Sequence, residues 1–147
     1  MGSCPFCEET PMKEREFYRV GGWYAALDHR PMAKGHVLLV ARRSGAECPV
    51  ELNHRALNGL DSAIAEIVPL MRKHFSVANV LVASLREKHP HVHWHLVPVH
   101  EILRKKWGKA HDVREGHMFG YLGWLEQRKP KDPLPYSELE NDVQALR

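Results

Sequence analysis

The sequence predicts an α+β domain with an antiparallel five-stranded sheet, one long helix and a C-terminal extension. Three observations predict it. Short apolar blocks rich in β-branched and aromatic residues recur, bounded by Gly, Pro and Asp. One stretch in the middle switches to helical spacing. The resulting order is strand, strand, strand, helix, strand, strand, which suits a largely antiparallel sheet with its helix on one face.

Phe17 to Ala26 carries Tyr18, Val20, Trp23 and Tyr24 around Gly21-Gly22 and reads as two strands joined by a tight turn. Asp28 to Gly35 is a loop marked by Pro31 and Gly35. His36 to Ala41 is an apolar run of buried-strand type, and Arg42 to Pro49 is a second loop. From Asn53, a suitable N-cap, Leu57, Leu60, Ile64, Ile67, Val68 and Met71 keep helical spacing. Pro69 is expected to kink that helix or restart it. Asn79 to Leu85 and His91 to Val99 are the last two strands, with a charged turn between them.

The chain divides into residues 1–100, which hold all of these elements, and an extension, 101–147. The extension holds Trp107, Tyr121 and Trp124, which are expected to pack on or near the same domain. The proline-rich run Lys129 to Pro135 is expected to be extended, and Ser137 to Leu146 a short helix. No function attaches to this region from sequence.

Composition narrows the function classes. The chain has 147 residues, 44% hydrophobic and 27% charged, which is the size and make-up of one globular domain. Its formal net charge of +3 is too mild to argue for a nucleic-acid partner, though one local cluster can still bind a small anion. No apolar run is long enough to cross a membrane, and Met1 to Cys7 does not read as a secretory signal. A cytoplasmic location is the resulting expectation. Three cysteines, two of them as Cys4-x-x-Cys7, favour metal or redox chemistry over a structural disulfide in a reducing compartment. Eleven histidines point to a site.

His91-Val92-His93-Trp94-His95 concentrates them. In a strand, alternate side chains share a face, so His91, His93 and His95 line one side while Val92, Trp94 and Leu96 line the other. The imidazoles then stand in a row at steps of roughly 7 Å. Imidazole titrates near neutrality, so a neutral ring can act as nucleophile while a neighbour orients it or serves as acid. Chance on an exposed strand and a catalytic zinc site are the competing readings. Zinc hydrolysis needs a third ligand and an open position, which leaves nucleophilic catalysis by this row as the leading one.

At this point the chain resembles the histidine-triad (HIT) superfamily. The motif His-φ-His-φ-His-φ-φ, with φ apolar, is met throughout His91 to Val97, and Pro98 follows. Leu27 to Val40 resembles the family's Asp…Pro…Gly-His-apolar segment, and Cys4-Pro5-Phe6-Cys7 resembles the Cys-x-x-Cys of zinc-containing members. Three motifs in order are more specific than any alone. The resemblance implies a HIT-like fold, a homodimer and a nucleotide hydrolase or transferase that cleaves a P–N or P–O–P linkage through a nucleotidyl-histidine. A HIT-fold nucleotide-binding or adaptor protein with little activity is the alternative. Carried over by position, His93 is the nucleophile, His95 contacts phosphate and helps the leaving group, and His91 and His36 orient the others. Asp28 matches the residue that binds ribose hydroxyls, though it also suits an ordinary turn aspartate, and His36 also suits a satisfied core histidine. The turn before the triad departs from the family: Arg86-Glu87-Lys88-His89 stands where Gly with Gln or Asn is common. Arg86 is the candidate phosphate contact there, with a solvated charged turn as the other reading.

Cys4 and Cys7 are half of a tetrahedral zinc site. In zinc-containing relatives a histidine after the Gly-His strand and the first triad histidine complete it. Ser44 occupies the first of these positions here and is a poor ligand. Cys48 can serve instead, with His54 a weaker candidate, and His91 is the fourth ligand. Four protein ligands make a structural zinc, and the other reading is a group of buried reduced thiols.

Overall fold

The computed structural model describes residues 4–85, 89–111 and 118–147. A one-turn helix α1 (Pro5–Glu8) and a 3-10 turn (Thr10–Arg15) lead into β1 (Glu16–Val20) and β2 (Trp23–Leu27). Next come β3 (Val37–Ala41), α2 (His54–Leu57), α3 (Leu60–Phe75), β4 (Val80–Ala83) and β5 (His93–Pro98). Helices α4 (Glu101–His111), α5 (Met118–Arg128) and α6 (Tyr136–Leu146) close the chain. The five strands form one antiparallel sheet in the order β1-β2-β3-β5-β4. The α+β, five-stranded expectation is therefore met.

The middle helix is two helices. Asn53 caps α2, with the Ala56 N–H donating to Asn53 Oδ1 at 2.9 Å. The chain then breaks at Gly59, whose φ of +82° suits glycine. Restart falls there and not at Pro69, which lies inside an unbroken α3 on its exposed side. Water can satisfy the carbonyl that Pro69 leaves without a donor.

Both sheet faces are covered, which is why all of β2 and β3 is buried despite an antiparallel sheet. On one face α3 lays Ala63, Ile67 and Met71 against Leu27, Val37, Leu39 and Leu96. Helix α6 joins the same core through Leu139, Val143 and Leu146. On the other face Phe6 and Met12 cover Tyr24, Ala26, Leu38 and Val40. Beside them α4 and α5 bring Trp107, Tyr121 and Leu125 onto Val97, Val99, Met32 and Ala33. The extension thus contributes to both faces. None of the helices among the described residues is long and apolar enough to cross a membrane.

Candidate active site and metal centre

Register decides where the histidines point. His93 pairs with Val40 and His95 with Leu38, so both rings rise on the face covered by Phe6 and Met12. Val92 and Leu96 enter the opposite core. The two rings lie 5.1 Å apart between centroids and line a cavity of about 220 Å³. Asp28, His36 and Phe6 share its wall.

His93 is almost fully buried, and its Nδ1 lies 2.7 Å from the His91 carbonyl oxygen. A carbonyl only accepts, so Nδ1 carries the proton and Nε2 keeps the lone pair. The Phe6 ring packs on His93 with centroids 4.8 Å apart.

His36 sits at the mouth of β3, pinned by the loop before it. Asp28 N–H donates to His36 O at 2.8 Å, and the His36 N–H donates to Ala33 O at 3.0 Å. Gly35 makes this path possible: its φ is +87°, and a Cβ there would stand 2.6 Å from the Phe75 ring. The Met32 N–H donates to His36 Nδ1 at 3.1 Å, so Nε2 carries the proton and donates to His95 Nδ1 at 2.9 Å. Burial first, and the Lys129 charge second, hold the His36 ring pKa down at about 3. It is neutral, so Asp28 Oδ2 at 3.5 Å is a neighbour and not an ion-pair partner. Asp28 Oδ1 accepts from the Arg30 N–H at 2.9 Å. Asp28 thus closes a turn and also lines the cavity. His36 likewise is both satisfied in the core and bonded to His95.

His91 has turned away from this row. It precedes β5, is fully buried, and points Nδ1 at three thiols: Cys4 at 3.5 Å, Cys7 at 3.4 Å and Cys48 at 3.2 Å. Its Nε2–H donates to the Ala41 carbonyl, which leaves Nδ1 as the ligating nitrogen. Its tie to His93 runs through its carbonyl and not its ring. The four donor atoms lie within 4.8 Å of one another, and Cys4 Sγ to Cys48 Sγ is 3.8 Å. Zinc at its usual bond lengths gives tetrahedral edges of about 3.8 Å between sulfurs and about 3.6 Å from sulfur to nitrogen. Burial, then the neighbouring Cys48 and Cys4, push the Cys7 thiol up to about 12. Crowding of this kind is relieved by a bound cation, which deprotonates its thiol ligands. Ligand type, count and edge lengths all make Cys4, Cys7, Cys48 and His91 a structural zinc site. Ser44 instead accepts from Arg55, at 2.6 Å, and His54 is absent from the cluster.

Arg86 lies outside the described residues. Several lining residues escape sequence reasoning. Arg15 is buried and donates to the carbonyls of Leu27 and Pro11, and burial lowers its pKa. Glu126 and Lys129 reach the cavity from the end of α5. Phe6 had a signal, since it lies between two metal cysteines; Arg15 and Lys129 had none.

Comparison with known proteins follows the same lines. The HIT domain family matches residues 9–102. A Hit-like protein involved in cell-cycle regulation from Bartonella henselae is similar in structure, with 19% identity, 95% of this chain and 87% of that chain covered, and a TM-score of 0.63. A hypothetical histidine triad nucleotide-binding protein from Sulfolobus tokodaii gives 16% identity, 97% and 89% coverage, and a TM-score of 0.63. A Zn-bound histidine triad family protein from Mycobacterium smegmatis gives 20% identity, 99% and 91% coverage, and a TM-score of 0.60. No curated protein matches the chain.

Proposed function

The chain belongs to the HIT domain family, and from that premise we propose that it is a nucleotide hydrolase or transferase that works through a nucleotidyl-His93 intermediate. The observation that carries the reading is the His93 tautomer: Nδ1–H is held by the His91 carbonyl, so the Nε2 lone pair belongs to a ring lining the cavity. That lone pair attacks the α-phosphorus, forming a P–N bond. The bond from phosphorus to the leaving oxygen or nitrogen breaks, and the leaving atom takes the electron pair. An oxygen departs as a phosphate anion. A nitrogen needs a proton, for which the imidazolium form of His95 is the source. That form requires His36 to give up the bond from the Met32 N–H, to present Nε2 as an acceptor and to turn an Nδ1–H toward Asp28 Oδ2, 3.5 Å away. Water then attacks phosphorus, the P–Nε2 bond returns its pair to His93, and the water proton goes to His95.

Asp28, on the cavity wall, is the residue we assign to the ribose hydroxyls. Cys4, Cys7, Cys48 and His91 would hold a zinc ion with four protein ligands, which would serve structure and stiffen the peptide that presents the His91 carbonyl. A zinc-bound histidine triad relative supports that assignment. Three thiol ligands suit a reducing, cytoplasmic setting. Homodimerisation is proposed from the half-buried apolar residues on edge strand β4, where Val82 is 40% exposed, and light scattering on the purified protein checks it.

Incubation with adenosine 5′-phosphoramidate and with a diadenosine polyphosphate tests the reading. Wild type turns over at least one, with an acid-labile mass increase of one nucleotidyl group, while His93→Ala loses activity by about 10³-fold or more. Full activity in His93→Ala would overturn the mechanism. Nucleotide binding without turnover would leave a HIT-fold binding protein.

A further inference from the structure

The C-terminal extension puts a cation beside the histidines that the triad chemistry leaves unused. Lys129, with Glu126, lines the same cavity as His36, His93 and His95. It enters from the end of α5 and not from the strand that carries the nucleophile. Two bonds tie the segment just after it to the Asp28 loop: Arg30 Nε donates to Pro130 O at 3.1 Å, and the Leu134 N–H donates to His29 O at 2.7 Å. Lys129 is therefore part of a segment tied to the loop that carries Asp28.

We propose that Lys129 meets the phosphoryl groups beyond the α-phosphate, so that the site prefers nucleotides with a second phosphate, as in nucleoside and dinucleoside polyphosphates, over those with one. The proposal rests on the nucleotide reading above. Of the other cations on the cavity wall, Arg15 spends its guanidinium on the Leu27 and Pro11 carbonyls, and Arg30 has its Nε on Pro130 O. Lys129 Nζ is 2.7 Å from Glu126 Oε1, and one of its three donors suffices for that contact. Its side chain is 19% exposed, so its charge is screened less than that of a surface lysine. The field of that charge reaches His36, the partner of His95, since it adds to burial in keeping that ring neutral. Glu126 holds the ammonium at the cavity until a more highly charged anion competes for it. A second phosphate supplies that charge, and when the bond from the α-phosphorus to the bridging oxygen breaks, the pair left on that oxygen stands beside a cation.

Binding of AMP and of α,β-methylene-ADP, which is not cleaved at the bridge, is measured calorimetrically for wild type, Lys129→Ala, Lys129→Gln and Lys129→Arg. Thermal melts identify any variant that does not fold. Wild type binds α,β-methylene-ADP about ten-fold more tightly than AMP, the effect expected of one charge-assisted contact. Lys129→Ala and Lys129→Gln lose this preference while still binding AMP, and Lys129→Arg keeps most of it. No preference in wild type, or an undiminished one in Lys129→Ala and Lys129→Gln, overturns the assignment of Lys129 and leaves the nucleotide reading intact. Failure of wild type to bind either ligand overturns both.

Discussion

At the scale of single residues, the site is a set of protons placed by backbone groups. The His91 carbonyl fixes the His93 tautomer, and the Met32 N–H fixes that of His36. His36 also links the site to stability. Its ring pKa is about 3 in the folded chain against 6.5 for a free ring, with burial the main cause. Between those values the unfolded chain takes up a proton that the folded chain refuses. The contribution is whole above pH 6.5 and falls as pH drops, by up to about 1.4 kcal/mol per pH unit, or about 2 kcal/mol at pH 5. Burial also lowers the pKa of His29 and His91, which adds loss of the same sign. Urea unfolding at pH 7.5 and pH 5 is expected to show wild type losing more stability than His36→Gln by about that amount. Equal losses in the two proteins would remove His36 as the cause. The identities of His93, His95 and His36 were legible because alternation and a motif mark them. His91 was read both as a face-mate of His93 and as a metal ligand; its ring takes the second course, since the residue lies two places before the strand begins and three thiols surround its Nδ1. Arg15 was illegible for a different reason: a buried arginine is selected by carbonyls that only the fold brings together.

Among the elements, α1 ties metal to nucleophile. It is one turn long and too short to hold itself together. What fixes it is Cys4 and Cys7 at the metal site, Phe6 packed under the sheet, and the Tyr24 hydroxyl donating to the Phe6 carbonyl at 2.9 Å. The same Phe6 ring lies against His93. Cys7→Ser is therefore expected to lose bound zinc, to melt lower and to be slower, because the wall behind His93 loosens. A loss of about 3 kcal/mol lowers Tm by roughly 6–12 °C for a chain of this size. Elemental analysis, a melting curve and the phosphoramidate assay measure the three together. Normal metal content with normal rate would separate α1 from the site. The Cys-x-x-Cys was readable, and so was Cys48 as its partner. The break at Gly59 was not, because Pro69 is the stronger local signal and the left-handed φ that calls for glycine at 59 shows only in the fold. Helices α4 and α5 were missed too: charges outnumber apolar residues in α4, Gly120 and Gly123 interrupt the apolar run of α5, and the packing of Trp107, Tyr121 and Leu125 is non-local.

At the scale of the whole molecule, the extension sits on both faces of the sheet. Helices α4 and α5 cover the histidine face beside Val97, and the chain then passes along the His29–Arg30 loop to deliver α6 to the opposite core. Leu139, Val143 and Leu146 all pack there with α3 and the sheet. Fully burying such side chains contributes about 1.5–3 kcal/mol each. Three of them together approach the 5–15 kcal/mol that holds an ordinary domain folded, as an order of magnitude. Ending the chain after Pro135 is therefore expected to abolish cooperative unfolding, whatever happens at the cavity. Leu139→Ala grades the same effect, with a loss of about 2–3 kcal/mol read from the urea midpoint. A truncated chain that still unfolded in one sharp transition would make α6 an accessory. The expected outcome matters for the site as well, because the segment from Lys129 to Leu134 is held at one end by α5 and at the other by α6. Loss of α6 frees the Leu134 anchor on His29, so the truncated chain should also bind AMP more weakly than Leu139→Ala does. Sequence alone predicts the short helix from Ser137 to Leu146 but not where it docks, since Leu139, Val143 and Leu146 make about two amphipathic turns that name no partner.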